Sequence, residues 1–131
     1  MDLPKNERTF FFNAVGEYTQ QKFEGEFTVL CVPTMLQRRS IEIERGRITG
    51  DMSNPTSNLF SLAIMLGNLR IRILKSPGWW TDSNGGSTLR DDNVVLALFE
   101  QVMQQEEDWR DEVRKKAAGG DDLGNPPKES R

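Results

Sequence analysis

The stretch KFEGEFTVLCV, residues 22–32, places Phe23, Phe27, Val29 and Cys31 on one side at period two and Glu24, Glu26 and Thr28 on the other. A strand of this kind buries one face and wets the other, so the chain must supply an apolar layer to cover it. The preceding run RTFFFNAV, residues 8–15, is also aromatic and β-branched, and the polar insert GEYTQQ between the two contains Gly16 and reads as a turn. The two runs predict a β-hairpin. Gly25 falls among the inward positions, where a missing side chain marks a bulge or a close approach by another backbone.

The period changes after Pro33. In TMLQ the Thr34 hydroxyl and the Gln37 amide form a capping box, which predicts a helix from about Met35 to Arg45. Its apolar positions Leu36, Ile41 and Ile43 make no clean helical stripe. RGRITGDMSNPTSN breaks the pattern with glycine, asparagine and proline. The spacing Leu59, Leu62, Leu66, Leu69, Ile73 then predicts a second helix over about 58–75, ended by Pro77, although LRIRIL alone would alternate like a strand. A third helix, near 91–116, is marked by Asp91 and Asp92 at its start, by one face of Val95, Leu98, Val102, Trp109 and Val113, and by Arg114, Lys115 and Lys116 at its end. The remaining AAGGDDLGNPPKESR, residues 117–131, has paired glycines, paired prolines and one large aliphatic residue, the composition of a disordered tail. The expectation is one α+β domain, residues 1–116, with the hairpin packed against about three helices.

Composition narrows the function. The chain has 131 residues, 36% of them hydrophobic, enough for one modest core. With 17 basic and 20 acidic residues and no basic half, nucleic acid is not an expected partner. Histidine is absent, which removes the usual proton carrier near neutral pH and the commonest nitrogen ligand for zinc, and one cysteine makes neither a disulfide nor a thiolate metal site. Cys31 shares the inward face with Phe27 and Val29, so it reads as core rather than nucleophile. Asp82, Asp91 and Asp92 around DSNGGSTLRDDN superficially suggest an oxygen-ligand cation loop, but Gly86 and Ser87 fall where a calcium loop needs a ligand and a glycine, so capping is the better reading. The polar start MDLPKNER has no signal-peptide core, and NLFSLAIMLGNLRIRILK is interrupted by polar residues. A soluble protein of a reducing compartment is expected, with no membrane span, no cofactor, no metal and no catalysis.

The sequence SPGWWTDSNGG places Trp79 and Trp80 on a connection between helices. Two readings are open: a tryptophan used on a partner or a sister subunit, or a pair folded back to plug the end of the core. Trp109 extends the Val95 face into the charged run QQEEDWRDEVRKK, and it marks the edge of the core or of an interface.

FEGEFTV leading to a threonine-capped helix, then PGWWTDSNGGSTLRDDNVV with Pro77, Trp79, Trp80, Gly85, Asp92 and Asn93, and a last helix ending EEDWRDEVRKK, together resemble the tail assembly chaperones of long-tailed bacteriophages over roughly residues 9–116. The resemblance implies a non-catalytic protein of the host cell cytoplasm. Such a protein coats the hydrophobic tape measure protein until tail tube subunits polymerise around it, is absent from the mature virion, and in some members is also made in a longer, frameshifted form. The short TGDMSNPTSN connection departs from the family pattern and bears on how the first two helices pack. The competing expectation is a tail or head-completion subunit that stays in the particle.

Overall fold

The computed structural model describes residues 2–50 and 52–124, with side chains as far as residue 119. Strand β1, Glu7–Val15, pairs antiparallel with β2, Lys22–Leu30, in an unbroken register that sets Phe10 opposite Phe27 and Phe12 opposite Gly25. The expected hairpin is present, and its turn is held by Gly16 N–H donating to the Gln21 carbonyl at 2.8 Å and Gln20 N–H to the Gly16 carbonyl at 2.9 Å. Phe12, Phe23, Phe27, Val29 and Cys31 are buried on one sheet face, while Glu24 and Glu26 are exposed on the other, as the alternation requires.

Helix α1, Met35–Thr49, begins at the capping box, with Gln37 N–H on the Thr34 hydroxyl at 3.1 Å and Thr34 N–H on the Gln37 side chain at 2.8 Å. It runs past the expected Arg45 to Gly50, whose φ of 60° ends it. Helix α2, Ser57–Arg72, stops short of the expected residue 75. The residues Ile73–Lys75 instead form strand β3, which extends the sheet to the order β1-β2-β3 by pairing Ile73 with Val29 and Lys75 with Thr28. The alternation in LRIRIL therefore prevails at its C-terminal end, where β2 offers an open hydrogen-bonding edge.

Residues Gly78–Asp82, expected as loop, form the short helix α3. Helix α4 spans Asp92–Gly124 and so continues past Lys116 into the stretch expected to be disordered, carried on by the strong helix formers Ala117 and Ala118. Residues 125–131 lie outside the described residues. The sheet's inner face, α2 and α4 enclose the core of Phe12, Phe27, Leu69, Val94, Leu98 and Val102, in an α+β fold of two layers. Helix α1 packs on the outside of α2, with backbones close enough that a Cβ on Gly67 would lie 3.0 Å from the Ile41 carbonyl oxygen.

Candidate binding surfaces

The three tryptophans each have an intramolecular role. Trp80 is 4% exposed, and its ring centroid lies 6.5 Å from that of Phe27 in an edge-on arrangement. Of the two open readings, Trp80 takes the core plug. Trp79 is half-buried, sits edge-on to Phe23 at 5.1 Å and Phe27 at 5.6 Å, and donates its indole N–H to the Glu24 carbonyl at 3.0 Å. Trp109 is also half-buried and donates to the Pro4 carbonyl at 3.2 Å, tethering the segment before β1 to α4. The structure thus groups Trp79 with Trp80 and leaves Trp109 apart.

Local chain geometry explains why tryptophans occur in an apparent loop. Pro77 leads into α3 and its ring stacks on the bare backbone of Gly25, where a Cβ would come within 2.7 Å of it. The glycine therefore marks a close approach, by a proline ring, while the strand pairing there stays regular. On the far side, Gly86 has φ +88° and a Cβ on it would meet Leu66 at 2.8 Å and Trp80 at 3.0 Å. The buried Ser83 hydroxyl closes the turn by donating to the Trp80 carbonyl at 2.8 Å and accepting from Gly86 N–H at 3.1 Å. Arg70 fastens the same turn to the helices: it donates to the Gly85 carbonyl at 2.9 Å and pairs with Glu44 of α1 at 2.9 Å. The sequence signal for a core plug was the pair of glycines after the tryptophans, which admit bulk against bare backbone.

The aspartates do not converge. Asp91 is 1% exposed and accepts hydrogen bonds from Tyr18 N–H at 2.7 Å, Thr19 N–H at 3.0 Å and the Thr19 hydroxyl. Burial pushes its pKa up, but the Thr19 hydroxyl, the two amides and the charge of Arg90 outweigh burial and hold the carboxyl below its ordinary value. Asp82 and Asp92 are exposed, and among the described residues no three acidic or cysteine side chains are grouped to hold a metal ion. Cys31 is buried, and burial raises its thiol pKa against the opposing charges of Arg8 and Arg72, as befits a core residue. Among the described residues no helix is long and apolar enough to cross a membrane.

The surface that sequence reading missed is on α1. Ile41 lies on the side facing α2 and Ile48 packs against the core, whereas Leu36 is 70% exposed and Ile43 is 43% exposed. Two residues of helix turn the chain by about 200°, so Ile41 and Ile43 point to opposite sides. Leu36 and Ile43, seven residues apart, share the outward one. The absence of a clean stripe therefore reflects apolar residues divided between the side facing α2 and the outward side, where Arg39 and Ser40 separate Leu36 from Ile43. Exposed Phe60 and Ile64 add a second apolar strip on α2, with the Arg45 guanidinium 5.1 Å above the Phe60 ring. At the end of the helices an open groove of about 450 Å³ runs between Leu59, Leu62, Leu66, Leu89 and Val95.

Comparison with protein-family models, characterised proteins and solved structures gives no match.

Proposed function

We propose that the chain is a tail assembly chaperone of a long-tailed bacteriophage, which binds and solubilises the tape measure protein in the host cytoplasm and leaves as tail tube subunits polymerise. The reading rests on the motif resemblance, and the observation that carries it here is the set of exposed apolar side chains on α1, Met35, Leu36 and Ile43. Leu36 and Ile43, with Met35 beside them at 72% exposed, are exposed apolar anchors set among Arg39, Ser40 and Arg47. Binding of this kind needs no reaction centre or cofactor. It needs apolar area that stays in water until a partner arrives.

Co-expression with the tape measure protein tests the proposal. The wild type keeps that protein soluble and co-purifies with it. The double substitution Leu36→Glu, Ile43→Glu keeps its melting temperature, because both sites are exposed, and weakens association by roughly 1–3 kcal/mol for each anchor lost. A variant that binds as the wild type does would move the contact away from α1. Stoichiometric recovery of the chain from purified virions would instead favour a structural subunit.

A further inference from the structure

We propose that the free edge of β1 pairs antiparallel with the same strand of a second copy, joining two three-stranded sheets into one of six strands about a two-fold axis at Phe11. The phase of the hairpin ladder supports this. Gly16 N–H bonds the Gln21 carbonyl and Cys31 N–H bonds the Asn6 carbonyl, so the even-numbered residues from Asn6 to Gly16 turn their backbone groups toward β2. The odd-numbered residues Glu7, Thr9, Phe11, Asn13 and Val15 therefore turn theirs to the outside. Beyond that ladder, among the described residues only the Val15 carbonyl has a partner, the Asn93 amide at 3.0 Å.

An unpaired edge of nine residues usually carries a proline, a bulge or a lysine to prevent strand addition. Strand β1 has none of these, and its charges, Glu7 and the inward Arg8 held by Glu112, lie at one end and leave Thr9–Val15 uncharged, whereas the opposite edge, β3, is three residues long and enters its ladder with a register shift. Phe11 stands at the middle of β1, 61% exposed on the outer sheet face.

The outward-facing groups select a second copy as the occupant. Pairing residue i with residue 22 − i sets odd against odd over the whole strand, so outward N–H groups meet outward carbonyls, the Val15 carbonyl at each end being shared with the Asn93 amide, and Phe11 exchanges two bonds with its counterpart. Glu7 then faces Val15 of the second copy, Arg8 faces Ala14 and Thr9 faces Asn13, so no like charges are opposed and the small Ala14 comes to the end where Glu112 of α4 holds Arg8. The two Phe11 rings cover each other. Nine residues at ~3.4 Å give a strip about 30 Å long. At a thickness of about 10 Å it covers ~300 Å² per copy, below the ~800 Å² of a standard interface, so the dimer is reversible and forms at high protein concentration.

Sedimentation velocity over a concentration series tests this, with Phe11→Glu as the variant because two carboxylates would then meet on the axis. The wild type should shift from one to two chains as concentration rises. Phe11→Glu should melt like the wild type and associate at least tenfold more weakly. Mild oxidation adds a register test: Phe11→Cys places two Cα atoms about 5.5 Å apart, within disulfide range, whereas Asn13→Cys places its like residues roughly 14 Å apart. Rapid disulfide dimers from the first and not the second are expected. A wild type monomeric throughout, a dimer indifferent to Phe11→Glu, or equal cross-linking at both sites would overturn the proposal.

Discussion

Arg72, at the end of α2, pairs with Glu106, in the middle of α4, at 2.8 Å, and its side chain is 2% exposed. The same guanidinium donates to the carbonyls of Cys31 and Leu30, so one buried cation joins α2, α4 and the end of β2. Glu106 is held in place from the solvent side by Arg110, also at 2.8 Å. The first prediction concerns this pair. Glu106→Ala leaves Arg72 buried without a counter-charge and should cost about 3 kcal/mol in urea unfolding. Adding Arg72→Met to that variant should return part of the loss, because the unpaired charge is gone. A double-mutant cycle measures the coupling, and additive losses would show that the two charges act independently.

Asp91 ties the hairpin turn to the start of α4, and its lowered pKa makes that tie sensitive to acid. A carboxyl whose folded pKa is depressed contributes stability fully above its unfolded value, and loses it as pH falls through the folded value. Asp91→Asn should therefore melt several degrees lower at neutral pH. The gap from wild type should close below about pH 4, where unfolded carboxylates become protonated. Melting curves from pH 7 to pH 2 check both the offset and its disappearance.

Gly25→Ala should destabilise the fold even though it sits in a regular strand. The new Cβ would meet the Pro77 ring at 2.7 Å, and φ is +149°, a conformation that side-chain-bearing residues avoid. A loss of about 2 kcal/mol is expected from strain and displacement of α3. Pro77→Gly, combined with Gly25→Ala, removes the Cβ and the ring carbon that the new methyl meets and should recover the steric part of the loss.

Trp80→Ala should cost about 3–5 kcal/mol, as for other large aromatic truncations in a core. Trp109→Ala should cost less and expose the segment around Pro4 to proteolysis. Iodide should quench Trp80 least, which single-tryptophan variants with phenylalanine at the other two positions would show.

The hairpin was readable because period-two alternation carries its own burial instruction: Phe23, Phe27, Val29 and Cys31 are inward for the reason their spacing states. The capping box at Thr34 was equally local. What could not be read depended on distant partners. Ile73 becomes strand because Val29 is waiting beside it, and the tryptophans become core because Gly25 and Gly86 are bare where Pro77 and Trp80 arrive. Arg72 looked like an interruption in an apolar stretch, since nothing near it in sequence announces Glu106. The outward apolar residues of α1 were visible only as disorder in a pattern, and separating its two faces required knowing where α2 lies.

Helix α1 meets the rest of the fold mainly through one neighbour, α2, across the bare backbone of Gly67. Its detachment would strip Ile48 from the edge of the core and leave the sheet, α2 and α4 around Phe12, Phe27, Leu69, Val94, Leu98 and Val102. Amide exchange along α1 should thus proceed by an opening cheaper than global unfolding, while the amides of β2 and the first half of α4 exchange only with the whole domain. A partner that covers Leu36 and Ile43 then does two things at once: it gains contact area and it slows the most easily opened part of the chain, so occupancy is legible as protection in a helix whose inner face the partner never touches.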